Sequence, residues 1–352
     1  MSQTALELKN VCKLYGPHAA RSLERYRATG RLGPGSSMGV WEVSLTIPRG
    51  KTSVLMGLSG SGKSTLLRLL NGLHQPTAGS IRVGGTELST LKRQQLVRLR
   101  RKTFSGMVFQ GFALLPHRTA LGNVAFGLEL QRVKKRERLA RAHTALELVG
   151  LGGHEHRYPR DLSGGMQQRL GLARALTLEG DILLMDEPFS ALDPITRREL
   201  QAELLRLQER VQKTIVLVTH DMEEALKLGD QIALLKEGRV QQVGTPEEIV
   251  SRPANAYVAA FVAGVDRAAL LTASSIMAAP TLAEHPARQH PAHEHWVSPE
   301  TSLADVLRIT SQNTATLSVL SAEGQLLGTI TPQNVLAALA ANPPNTQLKR
   351  SL

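Results

Sequence analysis

The sequence predicts an α/β protein, a mostly parallel sheet with helices packed on it, followed by a smaller α+β unit. Three observations predict it. Short continuous apolar runs at residues 54–56, 182–185 and 215–218 alternate with longer amphipathic stretches, as strands buried on both faces do when helices connect them. A glycine-rich loop, residues 57–65, stands between the first of these runs and a helix. The chain also changes character after Val262. Residues 264–352 carry five Lys/Arg and six Asp/Glu, a net of −1, which leaves +13 on the first 263 residues against +12 overall. A chain of 352 residues accommodates two domains, and the composition divides them as 1–263 and 264–352.

In chain order, Leu6, Leu8 and Val11, then Leu14 and Tyr15, predict an opening strand. Gly16-Pro17 breaks it. An insertion over 17–39 follows, with a charged helix around 21–27 and a Gly/Pro/Ser turn at 33–37. Val43, Leu45 and Ile47 alternate as in a strand over 40–47. Residues 54–56 form a strand and 64–73 a helix ending at Gly72. Residues 87–105 are basic and predict a helix, 108–110 a short strand, and 136–149 an amphipathic helix. A helix at 171–178, a strand at 182–185, a helix at 199–211 and a strand at 215–218 follow, then a hairpin of 232–235 and 239–243 over Lys236-Glu237-Gly238. Residues 279–299 hold four prolines, four histidines and few large apolar side chains, so they read as a loop. The last unit runs helix (303–309), strand (316–320), turn at Glu323-Gly324, strand (326–330), helix (335–341).

No apolar run approaches the roughly 20 residues that span a bilayer, and residues 1–5 lack the pattern of a signal peptide. The expectation is a protein made and kept in the cytoplasm. Cys12 is the single cysteine, which fits a reducing compartment; its alternating context makes it a small core side chain. The positive charge admits nucleic acid, an anionic membrane surface, or nothing specific. Aromatic residues are only 3% of the chain and none interleaves the basic clusters at 98–102 and 134–138. That argues against nucleic acid and for a solvated or membrane-facing surface.

The chemistry concentrates in two places. Gly57-Leu58-Ser59-Gly60-Ser61-Gly62-Lys63-Ser64-Thr65 matches G-x-x-x-x-G-K-[ST] in full. Glycines there let backbone N–H groups face phosphates, and the helix N-terminus favours negative charge. Lys63 is expected to reach the β- and γ-phosphates of a nucleotide and the Ser64 hydroxyl to ligate Mg²⁺. The second place is the end of the strand at 182–185. Asp186 can hold Mg²⁺ through water, and Glu187 is the candidate to polarise an attacking water. Glu187 alone could equally be an exposed strand-end acid. His220 follows the strand at 215–218, in the run Val218-Thr219-His220-Asp221, where an imidazole could orient that water.

Leu162-Ser163-Gly164-Gly165-Met166-Gln167-Gln168-Arg169, upstream of Met185-Asp186-Glu187, resembles the signature of ATP-binding-cassette (ABC) ATPases. With the loop at 57–65 the resemblance covers residues 5–262. It implies a P-loop NTPase with a RecA-like core and antiparallel β and α-helical subdomains. It also implies ATP with Mg²⁺ as ligands, ATP hydrolysis, and a head-to-tail homodimer in which each ATP lies between one chain's phosphate loop and the other's signature. In that frame Ser163, Gly164 and Gly165 contact the γ-phosphate of the opposite subunit's ATP. Gln110 senses Mg²⁺ and links the site to a membrane partner, and Ser190-Ala191-Leu192-Asp193 is the loop crossing the dimer interface. Tyr15 resembles the aromatic that stacks on adenine, beside its plain reading as a strand-end core tyrosine.

Among ABC ATPases, translation-type members carry two cassettes in one chain, repair types carry zinc modules or long coiled coils, and exporters fuse the cassette to membrane helices; the sequence shows none of these. The wording of residues 56–68, of Phe112-Ala113-Leu114-Leu115-Pro116-His117, of 124–129 and of the signature, with the 17–39 insertion, resembles the ATPase subunit of glycine betaine, proline and choline importers. That implies a peripheral protein on the cytoplasmic face of the cell membrane. Residues 112–117 would form a groove for an integral-membrane permease, and a periplasmic or extracellular substrate-binding protein would act indirectly. An importer for another small solute, such as an amino acid, and a regulatory ATP-binding module that signals rather than transports remain as alternatives.

Residues 265–342 resemble a single CBS domain, beginning around Ser275-Ile276-Met277, which implies pairing across the dimer. The family's adenosine pattern ends in aspartate; here it reads Gly328, Thr331, Asn334, and an asparagine supplies no carboxylate for ribose hydroxyls. Only Lys349-Arg350 adds positive charge near the end, a weak membrane contact at roughly 1 kcal/mol per basic residue. His285, His290, His293 and His295 could bind metal, but a Pro/Ala-rich segment gives them no fixed geometry and a plain linker explains them.

Overall fold

The computed structural model describes residues 4–279, 296–312 and 316–340. Internal contacts divide the chain into two compact units, Met1–Val243 and Gly244–Leu352, so the composition break at 263/264 falls within the second unit. The histidines at 285–295 and the basic pair 349–350 lie outside the described residues.

The first unit contains β1 (Thr4–Tyr15), β2 (Ser37–Pro48), β3 (Thr52–Met56), β4 (Ala78–Val83), β5 (Thr86–Glu87), β6 (Phe104–Phe109), β7 (Ile182–Asp186), β8 (Thr214–Thr219), β9 (Gln231–Lys236) and β10 (Arg239–Gly244). They form an antiparallel sheet, β2-β1-β4-β5, and a six-stranded sheet, β10-β9-β3-β8-β7-β6, parallel from β9 to β6. All five residues of β3 and all six of β8 are buried, which is why these strands read as unbroken apolar runs instead of alternating ones. The helix Lys63–Leu70 buries Leu66, Leu67, Leu69 and Leu70 in a single core that includes Leu6, Val43 and Ile47 of the antiparallel sheet and Leu55, Leu184 and Val216 of the parallel one. Both sheets therefore clamp the element that follows the glycine-rich loop.

The insertion becomes the helix Ala19–Thr29, whose Leu23 packs with Cys12, Leu14 and Trp41. Cys12 is fully buried and accepts the Glu42 N–H at 3.3 Å, as a small core side chain does.

Several elements differ from expectation. The basic stretch 87–105 is not one helix; the helix is Arg93–Thr103 and β6 begins at Phe104. Pairing with β7 claims Phe104, and Ser105, at the register shift that follows, donates its Oγ to the Ile182 carbonyl at 3.2 Å, so tertiary contacts override the local helical pattern. Gln110 lies one residue beyond β6. The helix after the signature starts at Gly164, not at 171. β4 went unpredicted because Gly79 interrupts it. There a side chain would come within 2.3 Å of the Asn10 carbonyl, so close approach to β1 decides the residue. The helix Ala120–Leu130, capped by Thr119, was likewise not foreseen.

The second unit begins with the helices Pro246–Ser251 and Ala256–Val262. It then builds a three-stranded sheet from β11 (Trp296–Val297), β12 (Leu317–Leu320) and β13 (Leu326–Ile330), with the helices Leu303–Gln312 and Pro332–Ala340. β11 lies inside the stretch read as loop. It pairs parallel with β12, and a two-residue strand carries too little pattern to be read from sequence.

Candidate active site

Parallel register brings the C-terminal ends of three central strands together. Met56 pairs with Thr219 and Asp186 with Val218, so residues 57, 187 and 220 emerge at one edge of the sheet, where ligands of open parallel sheets bind. Gly57 turns the chain at φ +150°, and a Cβ there would lie 2.2 Å from the Leu235 carbonyl. Gly60 and Gly62 also take positive φ (+78° and +99°) before the helix begins at Lys63.

Lys63 is 6% exposed. Its Nζ donates to the carbonyls of Gly57 (2.7 Å) and Leu58 (3.0 Å), holding the loop curled over itself. Burial pushes the ammonium pKa down, and the nearby Glu187 and Asp186 carboxylates oppose that. Ser64 Oγ donates to Asp186 Oδ1 at 3.1 Å. Burial raises the Asp186 pKa, while that hydrogen bond counteracts. Glu187 sits in the left-handed region at φ +46°, with its N–H donated to the Val218 carbonyl at 3.0 Å. This unusual turn for a non-glycine residue leaves Glu187 Oε2 3.2 Å from His220 Nδ1.

Tyr15, Ser59, Gly60, Ser61, Gly62, Lys63, Ser64, Thr65 and Glu187 line one cleft of about 340 Å³. Tyr15 Oη donates to Thr65 Oγ1 at 3.3 Å. Ser37, Met38 and Gly39, where the insertion returns to β2, complete the lining and were not foreseen. The signal was Gly39, where a Cβ would come within 2.8 Å of the Tyr15 ring.

The remaining predicted residues stand outside this cleft. Gln110 is exposed just after β6, whose Phe109 pairs with Asp186. Ser163 caps the helix Gly164–Leu176, its Oγ accepting the Met166 N–H at 3.3 Å. Gly165 faces Thr196, whose Cγ2 would be 2.5 Å from an added Cβ. Asp193 caps the helix Pro194–Val211, its Oδ1 accepting from Ile195 and Thr196 at 3.1 Å each. The Thr196 side chain foremost, and then these backbone N–H groups, hold its pKa down.

The residues present fit a nucleotide phosphate with Mg²⁺. Ser61 Oγ is buried with no hydrogen-bond partner among the described residues, and no side chain fills the glycine cradle around it. Hydroxyl and carboxylate oxygens of Ser64 and Asp186 suit a hard cation.

The second unit's adenosine-like pattern is occupied by its own packing. Gly328 underlies the Ala278–Thr329 bridge, where a Cβ would lie 2.6 Å from the Ala278 carbonyl. Asn334 Oδ1 accepts from the Thr331 N–H (2.8 Å) and Oγ1 (2.6 Å). The asparagine oxygen is thus committed to the start of the helix Pro332–Ala340.

Residues 40–190 match the family model described as ABC transporter. The chain is 51% identical to the glycine betaine transport ATP-binding protein OpuAA of Bacillus subtilis over 77% of this chain and 66% of that protein. It is 49% identical to the glycine betaine/proline betaine transport system ATP-binding protein ProV of Escherichia coli over 77% and 69%. Against the trimethylamine N-oxide transport system ATP-binding protein TmoW of Ruegeria pomeroyi it is 42% identical over 96% and 98%. Among solved structures, the dimeric structure of MJ0796, a bacterial ABC transporter cassette, superposes with a TM-score of 0.59 at 35% identity, covering 68% of this chain and 98% of that one. The same cassette is also known as a dimer bound to ADP and Pi. The chain belongs to the ATP-binding subunits of ABC transporters.

Proposed function

We propose that this chain is the ATP-hydrolysing subunit of an importer for a quaternary amine osmolyte such as glycine betaine, choline or proline betaine. The observation that carries the ATPase reading is the Glu187–His220 contact at 3.2 Å beside the Ser64–Asp186 bond at 3.1 Å, at the mouth of the phosphate loop. The cargo reading is supported by the relatives named for betaine transport. The full-length match to a trimethylamine N-oxide transport subunit favours a second reading in which the cargo is that methylated amine oxide.

Two copies close on two ATPs. Lys63 leaves the Gly57 and Leu58 carbonyls for the β- and γ-phosphates, a low-cost exchange of one set of oxygens for more strongly charged ones. Ser64, Gln110 and Asp186 would hold Mg²⁺, which would neutralise developing phosphate charge. Glu187 takes a proton from water while His220, whose Nδ1 lies 3.2 Å from it, orients the pair. Tyr15 stacks on adenine. Ser163, Gly164 and Gly165 present a helix N-terminus to the partner's ATP, with Asp193 at the interface. Closure drives a membrane permease, engaged through residues 112–117, from inward- to outward-facing. The chain works peripherally at the cytoplasmic face of the membrane, with a substrate-binding protein on the other side. Residues 1–263 form the ATPase domain and 264–352 a CBS-like regulatory domain.

Glu187→Gln in the assembled transporter is expected to lower steady-state ATP turnover at least 100-fold, within the usual range for losing a general base. Near-parental turnover would remove Glu187 from this role. Failure of the chain to co-purify with a multi-span membrane protein would favour a regulatory ATP-binding module instead.

A further inference from the structure

Arg174 lies on the helix Gly164–Leu176, about 15 Å along the axis from the signature glycine that starts it. Its guanidinium reaches off that helix to a turn elsewhere in the chain. Nη1 donates to the Ala113 carbonyl at 2.7 Å and Nη2 to the Phe112 carbonyl at 3.2 Å. Among the described residues no carboxylate pairs with it, and burial alone depresses its pKa, so the two carbonyls are what hold the charge.

The turn it grips is strained. Phe112 and Ala113 are consecutive non-glycine residues in the left-handed region, at φ +58° and +46°. L-residues adopt such a pair only where the surroundings impose it. Phe112 N–H donates to the Phe109 carbonyl at 3.1 Å and Ala113 N–H to the Gly111 carbonyl at 2.6 Å, closing the turn around Gln110. Phe112 also lies along the same helix. A Cβ on Gly164 would be 3.9 Å from its ring tip, and one on Gly171 would be 3.8 Å from its carbonyl oxygen.

We propose that Arg174 is a positioning residue that locks the turn after Gln110 to the signature helix, so that the two move as one body when the signature meets the partner's nucleotide. The proposal rests on the two-copy reading above. It gives that reading a physical link. One arginine ties the helix that serves the partner's ATP to the loop that carries this chain's Gln110 and leads into residues 114–117. Coupling of this kind requires an element that both sites bias, and the Arg174-clasped turn is that element.

The test attaches a solvent-sensitive fluorophore to a His117→Cys variant in a Glu187→Gln background. Native Cys12 is fully buried and escapes labelling. Emission is followed on adding ATP with Mg²⁺, while dimerisation is followed separately by size-exclusion chromatography. With Arg174 intact, ATP shifts the emission. Arg174→Ala is expected to dimerise and melt near the parent yet lose most of that shift, and Arg174→Lys, which keeps one donor group, to recover part of it. A full shift in a dimerising Arg174→Ala protein overturns the proposal. Arg174→Gln replaces the alanine variant if that one does not fold. Should the parent not dimerise with ATP, the two-copy reading falls by itself. The lock is then read by hydrogen exchange, in which faster exchange at residues 112–117 in the variant supports it and unchanged rates sink it.

Discussion

Single side chains in this protein are set by what the strand ends bring next to them. Glu224 illustrates it. It is 5% exposed, accepts the Thr219 hydroxyl at 2.8 Å, and leaves Oε1 without a hydrogen-bond partner among the described residues. Burial, with smaller help from Asp221 and Glu187, raises its pKa to about 7 from an ordinary 4.5. Between those values the folded protein keeps a proton that the unfolded chain has lost. Stability therefore falls as pH rises through that window and levels off above it, by about 3 kcal/mol at 1.36 kcal/mol per unit. Glu224→Gln keeps the acceptor and removes the titration. It should melt well above the parent at pH 8 and close to it at pH 5; the same difference at both pH values would refute the assignment. Lys63, Ser64, Asp186 and Glu187 were legible in the sequence because short motifs name them. Glu224, Ser37 and Met38 were not, since their roles come from neighbours distant in the chain.

At the scale of elements, the helix Gly164–Leu176 is where pattern and packing diverge. Its sequence starts with two glycines, which argue against a helix, yet Ser163 caps it, and a Cβ on Gly165 would lie only 2.5 Å from Thr196 Cγ2. Contact with the helix Pro194–Val211 leaves no room for a side chain at 165. Gly165→Ala should destabilise the protein by about 1–3 kcal/mol through overpacking, lowering its melting temperature. Thr196→Ser, which removes the offending methyl, should restore most of that loss. No recovery in the double variant would show that the penalty arises elsewhere. The basic helix Arg93–Thr103 shows the opposite failure, since its pattern extended into Phe104 and Ser105 until contacts with β7 took them.

For the whole molecule, the residues proposed to complete a nucleotide site lie apart on one chain. The cleft at residues 59–65 contains neither Ser163 nor the signature glycines. A composite site predicts complementation between two defective chains. A Lys63→Ala chain and a Ser163→Arg chain, each in a Glu187→Gln background, should fail to form ATP-dependent dimers alone. Mixed, they should form a heterodimer with one intact site and one doubly defective one, seen by size exclusion and ATP retention. Dimerisation of either variant alone would contradict shared sites. The sequence by itself determined the phosphate loop, the strand-end carboxylates, the signature and the buried parallel strands, because each is written in a short run of neighbouring residues. Only the tertiary structure decided that Asn334 serves its own helix, that Arg174 grips the turn at Phe112 and Ala113, and that Gly39 and Gly165 are small for their neighbours' sake. Those roles depend on which distant groups packing brings within a few ångströms, and no local pattern records that.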